Sequence, residues 1–121
     1  MAILDKAAID ALKNSIENNL EESKAKDIVT IDLEGKSDVC NYMIIASGTS
    51  DRHVVSIAEK LIYHLKHEED DIPYNSEGLD QGQWVLVDTA GIVIHLFHPE
   101  VREYYDLETL WSNPKTRKIE K

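Results

Sequence analysis

The 121 residues suffice for one domain and leave little room for a second independent core. At this length folding buries about two-thirds of the unfolded surface, enough for a core without staples, and the single cysteine, Cys40, has no partner for an internal disulfide. The 23 acidic against 13 basic residues leave a net charge of −10, a field that repels DNA and favours a basic protein as partner, though the same acidity also serves plain solubility.

A lone cysteine fits a reducing compartment, and a cytoplasmic location is expected. Asp5 and Lys6 interrupt the apolar start of the chain, and no run approaches the ~18 uncharged apolar residues of a membrane span. Neither a signal peptide nor a membrane partner is therefore expected.

From Asp5 to about Ser23, Ile9, Leu12, Ile16 and Leu20 recur at intervals of three and four, which predicts an amphipathic helix. Lys26 to Glu34 alternates like a strand with one wetter face, and Glu34, Gly35 and Lys36 form the turn after it. The short apolar run Tyr42 to Ala46 reads as a central strand covered on both faces. Ser47 to Asp51 is a turn in which Ser50 or Asp51 caps the next helix. That helix carries Val54, Ile57, Ala58, Leu61, Ile62 and Leu65 on one stripe and ends in the acidic run Glu68 to Asp71, with Pro73 beyond.

Tyr74 to Gly82 holds a short edge strand and a loop, ahead of two strong strands at Gln83 to Val87 and Ile92 to Phe97. Asp88 to Gly91 is read as a four-residue connection between them. Pro99 opens a short helix through Val101, Tyr104 and Tyr105, and Leu107, Leu110 and Trp111 supply a last apolar anchor. The fold class expected is α/β: residues 1–111 form a single domain, a mixed sheet covered by helices. Residues 112–121 carry Lys115, Arg117, Lys118 and Lys121 against Glu120, a charge of +3 that leaves −13 on residues 1–111. They read as a mobile basic tail whose four cations could make a salt-dependent contact with RNA.

Five constellations bear on chemistry. The turn before the second helix, with Gly48, Arg52 and His53, is a candidate anion-binding site and the basis of an alternative reading as a phosphate- or nucleotide-handling enzyme. It lacks a Walker or dinucleotide fingerprint, having Gly48 alone and no Lys-Ser/Thr pair. Two-metal nucleotidyl transfer needs paired carboxylates, and Asp88 stands alone on its strand while Asp32 and Glu34 flank a hairpin end. His64 with His67, and His95 with His98, do not converge with Cys40 into a three- or four-ligand set, so no metal or other cofactor is expected. His95 reads as a hydrogen-bonded core residue, and Cys40 and Ser47 have no partner at nucleophile spacing, which leaves no catalytic residue. In the strand Trp84-Val85-Leu86-Val87-Asp88, alternation puts Trp84, Leu86 and Asp88 on one face and Val85 with Val87 in the core. Trp84 then either packs under a helix or anchors a partner.

The chain resembles the Iojap-like ribosomal silencing factors. The resemblance is carried by Gly35-Lys36-Ser37, the run Tyr42 to Val54, Glu77-Gly78, the strand Trp84 to Asp88, Ile94 to Phe97 and the run Arg102 to Trp111. It implies an α/β fold related to nucleotidyl transferases without catalysis. It further implies a factor that docks on the large ribosomal subunit through its basic ribosomal protein fourteen, blocks joining of the small subunit and represses translation. Trp84 and Thr89 are the positions that the resemblance places on the docking surface, and Glu77, Asp80 and Asp88 are the acids expected to steer it. A homodimer burying Trp84 against its own copy is the competing use of the same sheet.

Overall fold

The computed structural model describes residues 5–33, 40–69, 72–106 and 116–118, the last three by their backbone. The turn expected at Glu34 to Lys36, the anchor Leu107, Leu110 and Trp111, and most of the basic tail lie outside these residues. Among the described residues the order is α1 (Lys6–Glu22), β1 (Lys26–Asp32), β2 (Tyr42–Ser47), α2 (Asp51–His67), β3 (Asn75–Glu77), β4 (Trp84–Thr89), β5 (Ile92–Phe97), α3 (Pro99–Tyr105) and β6 (Thr116–Lys118).

Both long helices start where a side chain satisfies an orphan N–H. The Asp5 carboxylate accepts from the Ala8 N–H at 2.8 Å, and Ser50 Oγ accepts from the His53 N–H at 3.1 Å, so that Ser50, not Asp51, caps α2. Leu12, Ile16 and Leu20 on α1 and Val54, Ile57, Ala58, Leu61 and Leu65 on α2 are buried as the periodicity selects, while Ile9 and Ile62, placed on the same stripes, are only half-buried.

The strands form one mixed sheet in the order β3-β4-β5-β2-β1-β6. β2 and β5 run parallel, and the other neighbours are antiparallel. β2 lies inside the sheet with all six residues buried, as its continuous apolar run requires. One face holds Ile44, Ala46, Val85, Val87, Ile92, Ile94 and Leu96 beneath α1 and α2. On the other, Val29, Ile31, Met43, Ile45 and Phe97 form a second cluster, against which Val101 of α3 packs.

Two differences from the sequence reading have physical reasons. The β4–β5 connection is not four residues long. The strands run through Thr89 and from Ile92, and Ala90 and Gly91 make a two-residue turn with φ of 49° and 84°. Its paired left-handed residues match the twist of the flanking strands. The tail expected to be mobile also contributes structure: Thr116–Lys118 pairs antiparallel with β1, where Val29, Thr30 and Ile31 offer the edge that β2 does not use.

Candidate docking surface

β4 alternates as its sequence demands. Trp84 and Leu86 are half-buried and Asp88 is exposed on one face, while Val85, Val87 and Thr89 are buried on the other, toward the helices. Register adds neighbours to the first face: Glu77 of β3 and His95 of β5 flank Leu86, and Asn75 and Val93 flank Asp88. The half-buried Leu86 and Val93 thus lie between the exposed Asn75, Glu77 and Asp88, an apolar strip with an acidic border. Asp80 is exposed in the turn between β3 and β4.

Trp84 is held by an aromatic group assembled from three elements. Its indole Nε1–H donates to His95 Nδ1 at 3.0 Å, and its ring centroid lies 5.0 Å from that of Phe97, its cross-strand partner. From α3, Tyr105 brings its ring to 4.7 Å, followed by Tyr104 edge-on to Tyr105 at 5.0 Å. Tyr104 and Tyr105 are 81% and 50% exposed, among the large apolar side chains that the described surface leaves open. His95 is buried, and burial pushes its pKa down to about 4, so the imidazole is neutral at physiological pH.

Several expected site residues fall elsewhere. Thr89 does not line the Trp84 face: it is 2% exposed on the helix-covered face, and its hydroxyl donates to the Pro73 carbonyl at 2.8 Å. It obeys the alternation that buries Val85 and Val87. The Gly48–His53 turn is not an open anion cradle. The Gly48 N–H donates to the Phe97 carbonyl, and the Thr49 N–H to His53 Nδ1 at 2.8 Å. The other ring nitrogen of His53 donates to the Ser23 carbonyl at 3.0 Å. His53 therefore ties the end of α1 to this turn, and Arg52 is left exposed beside Asp51. Gly48 is required by packing, since a Cβ there would lie 2.8 Å from both Val54 N and Val54 Cγ2.

The histidines make no metal cluster among the described residues. His98 caps α3 by accepting from the Glu100 N–H, while His64 joins α2 to α1. Its Nε2 lies 2.6 Å from Ser15 Oγ and its Nδ1 2.7 Å from Glu68 Oε1. Ser15 donates its own hydrogen to Glu69 Oε2 at 2.5 Å. The trio has the outline of a Ser-His-acid triad, yet the hydroxyl hydrogen goes to a carboxylate, and the mid-helix N–H groups around Ser15 are spent in the helix ladder, leaving no oxyanion donors. It is a helix-to-helix staple. No sequence spacing announces it, because Ser15 and His64 stand 49 residues apart.

The sequence profile described as "Ribosomal silencing factor during starvation", RsfS, matches residues 6–121. The chain belongs to this family. Ribosomal silencing factor RsfS of Zymomonas mobilis is 42% identical over 103 residues, which cover 85% of this chain and 77% of that protein. A mouse protein, mitochondrial assembly of ribosomal large subunit protein 1, is 40% identical over 97 residues, 77% of this chain and 42% of its own length. A crystal structure of a Chromobacterium violaceum protein superposes with a TM-score of 0.79 at 34% identity, covering 94% of this chain and 91% of the other. The RsfS match includes the three residues of β6, so the family pattern extends past the motifs that end at Trp111.

Proposed function

We propose that this chain, as a ribosomal silencing factor, docks on the large ribosomal subunit through the Trp84 face of its sheet, with ribosomal protein fourteen as the contact. In that position it occupies a patch needed for subunit joining and represses translation by steric exclusion, without turnover. The observation that carries this reading is a half-buried tryptophan beside an apolar strip bordered by Glu77 and Asp88, in a member of the RsfS family. Aromatic anchors supply most of the affinity of such patches, and bordering acids speed encounter with a basic partner.

A non-catalytic role is supported by the carboxylates. Asp32 pairs with Tyr42, whose ring belongs to the helix-covered core, while Asp88 pairs with Val93 on the opposite face, and β2 and β5 stand between them. Two carboxylates on opposite sides of a sheet cannot share a pair of ions about 4 Å apart. The closed hydrogen bonds of the Gly48–His53 turn likewise argue against nucleotide handling there. Among the described residues no helix is long and apolar enough to cross a membrane, and action on ribosomes in the cytoplasm fits that.

The test is cosedimentation with large subunits followed by a subunit-joining assay. Trp84→Ala should weaken binding by ~2 kcal/mol or more, roughly thirtyfold, and restore joining. Undiminished cosedimentation by a folded Trp84→Ala protein would remove Trp84 from the interface.

A further inference from the structure

We propose that His95 is a positioning residue for docking: by accepting the Trp84 indole N–H from within the sheet, it turns the ring so that the partner meets apolar and π surface instead of a hydrogen-bond donor. This rests on the docking role of Trp84 and adds the chemistry by which that residue is read.

The geometry is specific. Indole nitrogen can only donate, so the 3.0 Å contact with His95 Nδ1 requires that nitrogen to carry its lone pair and places the imidazole hydrogen on Nε2. The neutral ring is maintained by burial, which keeps His95 uncharged to about pH 4. His95 sits diagonally across the β4–β5 ladder from Trp84, on the same face, and its ring stacks nearly parallel to Phe97, with 10° between the planes. The acceptor is thus fixed by a packed neighbour and by its strand.

The consequence concerns the partner. A half-buried tryptophan meant to donate a hydrogen bond would direct its N–H outward, whereas here that donor is already consumed. What remains for recognition is ring surface beside Tyr105 and the acids Glu77 and Asp88. Such a surface suits a lysine or arginine side chain, whose alkyl stem lies on the ring while its charge reaches the carboxylates.

The test uses the full chain with Trp111→Phe, so that Trp84 is the only indole. His95→Phe keeps an aromatic ring and removes the acceptor, and His95→Gln keeps an acceptor. His95→Phe should shift the indole N–H resonance of Trp84, speed its hydrogen exchange and weaken cosedimentation with large subunits about tenfold, while His95→Gln recovers most of both. A shifted resonance with undiminished binding, while Trp84→Ala still weakens binding, would overturn the positioning role and leave the docking reading standing. Loss of no affinity on Trp84→Ala would overturn both. Nitrogen-15 spectra of the unsubstituted imidazole decide the geometry even if His95→Phe does not fold: an unprotonated Nδ1 supports the proposal, and a protonated Nδ1 refutes it.

Discussion

Arg102 of α3 reaches beneath its own helix to donate to Ser47 Oγ at the end of β2, a 2.8 Å bond between two buried side chains. It fixes the short α3 on the sheet and with it the tyrosines that border Trp84. A seven-residue helix is too short to persist unaided, so its position depends on this bond and on Val101 packing into the second core cluster.

Arg102→Ala should therefore cost about 2–4 kcal/mol, since it strips a charge-assisted bond and the packing of a long alkyl stem together. Urea denaturation measures the loss. Tryptophan fluorescence in native buffer should also change as Tyr105 leaves the indole. A variant with native stability and an unchanged spectrum would show that α3 is held by other means.

The staple between α1 and α2 makes a second case. Ser15 touches both His64 and Glu69, so Ser15→Ala should destabilise by about 0.5–1.5 kcal/mol through the loss of its two hydrogen bonds, while His64 Nε2 and Glu69 Oε2, 3.1 Å apart, keep each other as partners. A double-mutant cycle with His64→Leu should show coupling of about 1 kcal/mol, as neighbours in one network do not act additively. Strict additivity would mean that the contacts contribute nothing to joining the helices.

How far the sequence reached is clearest on β4. Alternation alone separates Trp84, Leu86 and Asp88 from Val85 and Val87, and the structure keeps that division. Thr89 follows the same alternation inward; it was expected on the docking face only through the family resemblance, which carries no period. Reading Asp88 to Gly91 as the connection would pair Val87 with Ile92 and set Trp84 opposite His95. The two-residue turn instead pairs Thr89 with Ile92 and sets Trp84 opposite Phe97. A slip of two residues preserves which face a side chain occupies and changes whom it touches. The faces were legible for that reason, and the cross-strand pairing of Trp84 with Phe97 was not. Contacts such as Ser15 with His64, or Trp84 with Tyr105, depend on how helices pack over distant strands, which no local pattern encodes.

The turn itself is open to improvement. Ala90 holds φ at 49°, a left-handed conformation that costs a residue with a Cβ about 1–2 kcal/mol. Asparagine tolerates that region and is favoured at the first position of such turns. Ala90→Asn should raise stability by about 0.5–1 kcal/mol, read as a higher urea midpoint with unchanged slope. A lower midpoint would show that Asn at this half-buried position loses more in packing than it gains in backbone geometry.

His95 gives the fold a defined acid sensitivity. Its pKa falls from 6.5 in the unfolded chain to about 4 in the folded one because burial disfavours the imidazolium. Between those values the unfolded state binds the extra proton, so stability rises with pH there. The contribution is fully present above pH 6.5 and is lost as pH falls toward 4, by roughly 3 kcal/mol over the whole window. Protonation also removes the lone pair on Nδ1 that receives the Trp84 N–H. His95→Gln cannot titrate, so its stability should fall less steeply than that of the unsubstituted protein over this range, the carboxylates common to both cancelling in the difference. Urea midpoints at several pH values across the window measure it, and parallel curves for the two proteins would show that His95 is not the group responsible.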